Sequence, residues 1–213
     1  MHGEAYDFII SRRLWKNINL RADFSYYVMK DYTFISNFKT NETIWGRDVT
    51  TVDVNKTGLE IDISGHIIDG LGFYASFSTY DYKIKDAVNA YEKTQAKEEF
   101  SNRADYRINA GLDYTLFKNT KLLLDYKYQD DQVKKRHEGV EEYLGTWSTY
   151  EIKMDSYHLF DFAVEQKLFE NFGFAKNGMV KLYINNLLDE EYEESNGYPA
   201  TDRTYGIYAK FDF

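Results

Sequence analysis

Apolar and polar residues alternate with period two along most of the 213-residue chain, the signature of β-strands whose two faces meet different surroundings. Counting back from the end, Phe213, Phe211, Ala209, Ile207 and Tyr205 alternate with Asp212, Lys210, Tyr208, Gly206 and Thr204. Ile18, Leu20, Ala22, Phe24, Tyr26 and Val28 oppose Asn19, Arg21, Asp23, Ser25 and Tyr27 in the same way. Leu59, Ile61, Ile63 and Ile67 oppose Glu60, Asp62, Ser64 and His66, and Phe73, Ala75 and Phe77 form a further ladder. Two more run through Ile108, Ala110, Leu112, Tyr114 and Leu116, and through Leu122, Leu124, Tyr126 and Tyr128. A less regular strand near Ala5–Ser11, with others near Ser156–Leu168, Met179–Leu187 and Thr204–Phe213, brings the total to about nine. The fold class predicted is all-β, an antiparallel up-and-down meander.

The connections carry as much information as the strands. Short links at Arg12–Asn17, Asp69-Gly70, Lys118–Thr120 and Glu170–Gly178 alternate with long polar ones at Lys30–Thr57, Lys83–Ala104, Asp130–Asp155 and Asp189–Arg203. An up-and-down sheet therefore gathers all short links at one end and all long links at the other. Outer-membrane barrels have this asymmetry, with short periplasmic turns and long extracellular loops. Alternation alone leaves open a soluble barrel of the lipocalin type, with its apolar face inward. Three features favour the membrane. The strand from Ile18 to about Tyr32 exceeds the usual five or six residues. The polar faces carry Arg, Asp, Glu and Lys rather than small fillers. Tyr26, Tyr27, Tyr32, Tyr80, Tyr82, Tyr126 and Tyr128 cluster at strand ends, where an interfacial girdle lies.

Composition sharpens this picture. Twenty Tyr and 15 Phe against a single Pro suit strands. A mean hydropathy of -0.60 with 29% charged residues fits a barrel as well as a soluble protein, since a spanning strand needs only about 9–11 residues with half of them apolar. No apolar run approaches the roughly 20 residues of a spanning helix. The net charge of -9 argues against a nucleic-acid partner, and the absence of cysteine excludes disulfides and thiolate metal sites. Met1 to Ile10 lack a basic segment followed by an apolar stretch, so the expectation is a mature or truncated chain.

Candidate chemistry is sparse. The acidic run Asp189, Glu190, Glu191, Glu193 and Glu194 lacks calcium-loop spacing, and the expectation is a solvated loop there and at Glu138, Glu141 and Glu142. His2, His66, His137 and His158 show neither ligand spacing nor a nucleophile partner. No catalytic residue, metal or cofactor is predicted. Gly70 and Gly72 mark a turn, because no helix follows. Lys85–Phe100 has helical composition inside a long loop. The loop aromatics Tyr91, Tyr143, Trp147 and Tyr150 are the expected substrate contacts.

The last quarter reads MVKLYINNLL, then DEEYEESNGYPATDRTYGIYAKFDF. Asn186, Leu187, Leu188, Asp189, Glu191, Tyr192, Gly197, Tyr198, Pro199, Arg203, Thr204, Tyr205 and Phe213 resemble the closing segment of TonB-dependent outer-membrane receptors. Asp202 stands where that family often has Gly. Thr57-Gly58-Leu59-Glu60-Ile61 is similar to a strand opening of the family, and Tyr27 to Ile35 to the strand before it. The resemblance implies that residues 1–213 are a partial barrel domain in the outer membrane of a Gram-negative bacterium, without the plug domain or the first strands of a barrel of about 22. It implies active uptake of a scarce ligand such as a ferric siderophore, with the TonB system engaged only through the absent plug. Expected partners are outer-membrane lipid, the missing strands and plug, and the barrel-assembly machinery. That machinery would read Tyr205, Ile207, Ala209, Phe211 and Phe213. A complete small outer-membrane barrel, porin-like or enzymatic, is the alternative, and a soluble ligand-binding barrel is a further one.

Overall fold

The computed structural model describes residues 2–15, 17–40, 44–87, 93, 96, 100, 103–139, 147–172, 175–195 and 197–213. Nine strands form one sheet: β1 (His2–Trp15), β2 (Ile18–Thr40), β3 (Ile44–Ile68), β4 (Leu71–Ile84), β5 (Tyr106–Leu116), β6 (Thr120–Gln129), β9 (Tyr157–Phe172), β10 (Ala175–Asn185) and β13 (Thr204–Asp212). Each is antiparallel to its neighbour, in the order β1-β2-β3-β4-β5-β6-β9-β10-β13. Two hairpins stand apart from it, β7 (Gln132–Gly139) with β8 (Trp147–Met154), and β11 (Glu193–Ser195) with β12 (Tyr198–Pro199).

The register shows why alternation in sequence becomes two continuous surfaces. Leu112 pairs with Phe73 on one side and Leu124 on the other, Leu124 with Phe162, Phe162 with Ile184 and Ile184 with Tyr205. Paired residues point the same way, so one apolar face crosses the sheet. It is uncovered: Phe24, Leu112, Leu182 and Ile207 are all exposed large hydrophobics. On the opposite face lie Arg21, Asp62, Asp113, Lys121, Glu165 and Lys181. There Arg21 meets Asp23 at 2.7 Å, Lys121 meets Asp113 at 3.1 Å and Lys181 meets Glu165 at 3.3 Å.

Two glycines carry aromatic rings across the strands. A Cβ at Gly111 would collide with the Tyr74 ring, and its absence lets the Tyr74 hydroxyl donate to Asp125 Oδ1 at 2.7 Å, two strands away. On the apolar face Phe169 lies over Gly178 and stacks with Phe211, ring centroids 6.2 Å apart. A strand glycine here is a saddle for a neighbouring ring.

Several sequence expectations need correction. The predicted link Glu170–Gly178 is mostly strand, with β9 reaching Phe172 and β10 starting at Ala175. The predicted link Lys30–Thr57 is mostly strand, because β2 and β3 stay paired out to Thr40 and Ile44. A bulge between Met29 and Tyr32 inserts one residue into β2, with Asp31 at φ 52 and its amide donating to Asp53 Oδ1 at 3.1 Å. The insertion reverses the parity of the pattern, which hid the strand's continuation. The predicted link Asp130–Asp155 holds the β7–β8 hairpin. Finally, the tyrosine girdle splits between the faces. Tyr26, Tyr126 and Tyr128 are in register with the apolar face, whereas Tyr27, Tyr32, Tyr80 and Tyr82 fall on the polar one.

Candidate functional site

The short links lie at one end of the sheet and the long ones at the other, and the chemistry gathers on the polar face at the long-link end. Past the bulge, Tyr32 and Phe34 point to this face, beside Val52 and Val54 of β3 and Tyr82 and Ile84 of β4. These residues make a local apolar patch on an otherwise polar surface. The loop after β4 returns over it, residues 93, 96 and 100 being helical as composition predicts. Ala96 and Phe100 pack onto Phe34, Val52 and Val54 to form a buried cluster. Phe100 stacks on Tyr82 at 4.9 Å and meets Tyr32 at 5.0 Å. Burial therefore occurs on the polar side, under a loop, and a soluble barrel with this sheet would bury the opposite face.

A cleft of about 270 Å³ opens beside the docked loop. Lys56, Tyr80, Tyr82, Arg103, Asp105 and Arg107 line it. Lys56 Nζ sits 4.0 Å from the Tyr80 ring centroid, 5.2 Å from Tyr27 and 5.9 Å from Tyr82. Arg103 lies 5.2 Å from the Tyr82 ring and donates to its hydroxyl at 3.3 Å. The Tyr80 hydroxyl donates to Glu60. Among the described residues, neither Lys56, Arg103 nor Arg107 forms a salt bridge with a carboxylate. Cation–π contacts hold Lys56 and Arg103 in place without neutralising them.

The loop between β10 and β13 is tied to the same side. Lys127 meets Glu194 at 3.2 Å, and Tyr192 packs on buried Tyr157 with ring centroids 4.4 Å apart. Burial, and then the Glu194 carboxylate, push the Tyr192 hydroxyl above its usual range. The sequence motif builds the loop's start. Asn186 is buried at φ 52, a conformation its short amide tolerates. Its side chain donates to the Glu190 carbonyl and accepts from the Glu190 amide, both at 2.8 Å, while its own amide donates to Asp161 Oδ1 at 2.7 Å. Asp189, at φ 60, accepts from the Arg203 amide at 2.9 Å and its guanidinium at 3.2 Å. Arg203 also donates to the Leu187 carbonyl at 3.2 Å. Leu188 is exposed. The acidic run thus serves as a set of ties, correcting the expectation of a purely solvated loop: Asp189, Glu193 and Glu194 all bind within the protein.

Other expected sites are scattered. Tyr205, Ile207, Ala209 and Phe211 line the apolar face of β13, and Phe213 follows its last residue, exposed. Trp147 and Tyr150 belong to β8, opposite Gly139 and Arg136, and their side chains, like Tyr91 and Tyr143 altogether, lie outside the described residues. The acidic residues Glu141 and Glu142 also lie outside them. His66 falls on the polar face, opposite Gly72. His158 is on the apolar one, its Nδ1 2.8 Å from the Tyr126 hydroxyl. Among the described residues no group of three or more His, Asp or Glu could hold a metal. The cleft residues were missed because Lys56 and Tyr82 become neighbours only through the β3–β4 register. Their shared polar-face parity was the one available signal.

No protein-family model matches the chain. It is 28% identical over 209 residues to the vitamin B12 transporter BtuB of Vibrio cholerae serotype O1, covering 92% of this chain and 31% of that protein. Among solved structures, the FrpB iron transporter from Neisseria meningitidis superposes with a TM-score of 0.69 at 14% identity, over 99% of this chain and 31% of its own. The pyoverdine outer membrane receptor FpvA from Pseudomonas aeruginosa PAO1 gives 0.66 at 13% identity, over 99% and 30%. The copper transporter OprC gives 0.67 at 13%, over 98% and 31%. The chain spans about a third of the length of each of these relatives.

Proposed function

We propose that this chain, which has the barrel fold of TonB-dependent outer-membrane receptors of Gram-negative bacteria, supplies the C-terminal wall of such a receptor and works in active uptake of a scarce ligand, a ferric siderophore or a similar chelate. The observation that carries the proposal is strand parity. Eight antiparallel steps separate β1 from β13, so the two edge strands run in the same direction. Bacterial outer-membrane barrels have even strand numbers, so closure with antiparallel neighbours needs an odd number of further strands between these edges. Backbone groups in lipid must also be paired between strands, which rules against β1 and β13 standing open. A complete small barrel fits less well for both reasons. The relatives are transporters and receptors, and the chain is accordingly taken to be no enzyme.

In this reading the apolar face meets lipid and the polar face lines the lumen around a plug that lies outside residues 1–213. The plug would be the route of contact with the TonB system. The test is ligand uptake by cells that carry the full-length protein, with and without a protonophore. Accumulation of the iron-labelled chelate is expected to stop when the proton-motive force collapses; protonophore-insensitive entry would instead mark a passive porin.

The terminal strand has a second role in this reading. Tyr205, Ile207, Ala209, Phe211 and Phe213 present an alternating edge suited to strand addition by the assembly machinery. Deleting Phe213 from the full-length protein is expected to lower the folded, heat-modifiable barrel in outer membranes by about tenfold, the equivalent of about 1.4 kcal/mol. Unchanged amounts would limit Phe213 to lipid contact.

A further inference from the structure

The cleft beside the docked loop carries a charge opposite to that of the chain around it. The whole sequence has a net charge of -9, yet among the described residues the lining brings together Lys56, Arg103 and Arg107 against the carboxylate of Asp105. Glu60, beside the Tyr80 ring, accepts the Tyr80 hydroxyl, and Asp7 accepts the Tyr27 hydroxyl at 3.5 Å. Elsewhere on the polar face several cations are matched, Arg21 with Asp23, Lys121 with Asp113 and Lys181 with Glu165. Three cations facing one opening repel each other, and an anion placed between them relieves that repulsion. The aromatic scaffold fixes where two of them stand: Tyr82 is shared, with Lys56 at 5.9 Å and Arg103 at 5.2 Å from its ring. Phe100, stacked on the same tyrosine, ties the cleft to the docked loop. Positive groups gathered at one opening raise the local concentration of anions there.

We infer that this cleft selects for an anionic ligand bearing ionised oxygen donors, in preference to neutral or cationic ligands of the same size. The inference rests on the receptor proposal above. It narrows the ligand class within that proposal, and Lys56, Arg103 and Arg107 are the residues that set the selection. Guanidinium groups match paired oxygens in two-point fashion, and the lysine acts as a point charge.

The experiment uses the full-length protein in detergent and two tripodal ferric chelates of matched shape. The triscatecholate is a trianion and the trishydroxamate is neutral. Binding is read by quenching of intrinsic fluorescence. The trianion is expected to bind at least tenfold more tightly than the neutral chelate, and to lose that advantage as salt rises through the range where the Debye length falls from about 10 Å to about 3 Å. Lys56→Met combined with Arg103→Gln is expected to remove the advantage, lowering the trianion's affinity at least tenfold more than the neutral chelate's. Lys56→Arg is expected to keep it. Equal binding of the two chelates to the wild-type protein, binding of neither, or a trianion preference that survives the double substitution would each overturn the inference. Energy-dependent uptake measured in the same cells reports on the receptor proposal separately, so anion selection can fail while the receptor role stands.

Discussion

Leu124→Arg is expected to destabilise the folded barrel by about 2–4 kcal/mol, the cost of an arginine on the lipid face near mid-bilayer. Leu124 stands in the middle of the apolar face, paired with Leu112 and Phe162. Leu123→Arg, one residue earlier, is expected to cost far less. Its side chain leaves the other face of the sheet, opposite Asp113 and Ala163, where a guanidinium gains a carboxylate neighbour. The pair of variants separates the face assignment from any general sensitivity of β6, because propensity and strand position are almost the same. The measurement is the urea midpoint of the full-length barrel refolded in lipid. Equal losses for the two would mean that neither face meets lipid, and a larger loss at Leu123 would invert the sheet.

Phe100→Ala is expected to release the loop after β4 from the wall. A buried phenylalanine cut to alanine costs about 3–5 kcal/mol, and here the loss falls on docking rather than on the sheet. Phe100 contacts Tyr32 and Tyr82 from a loop, whereas the strands beneath are joined by their own ladders. Hydrogen exchange in residues 85–105 is then expected to rise on the order of 100-fold, the equivalent of about 2.7 kcal/mol, with β4 and β5 still protected. Unchanged exchange would show that the buried cluster does not hold the loop. Phe34→Ala, on the wall side of the same cluster, is expected to produce the same pattern from the other partner.

Much of the fold was legible because a β-sheet's two faces are written into sequence as simple alternation. The strands through Leu20, Phe77, Leu112, Leu124 and Ile207 were found at their observed places, as were the long links after β4, β6 and β10, whereas the long link placed between β2 and β3 was not. Alternation fails as a guide wherever a residue is inserted. The bulge at Asp31 shifted Phe34, Val52 and Val54 out of the expected frame, so a segment that pairs as strand read as a polar loop. Tyrosine position was ambiguous for a related reason. Tyr26 and Tyr27 are adjacent in sequence and leave opposite faces, and only Tyr26 joins the apolar surface.

The sequence by itself determined the all-β meander, the number of main strands, the polar and apolar faces and the C-terminal motif, because each depends on neighbours within about a dozen residues. Tertiary structure alone decided that the loop carrying Ala96 and Phe100 closes onto the wall and that Asn186, Asp189 and Arg203 form one tied turn. It alone decided that Lys56, Tyr82 and Arg103 share one cleft. These groupings join residues far apart in sequence, from different strands and loops, and alternation within a single strand carries no information on which distant partners it meets.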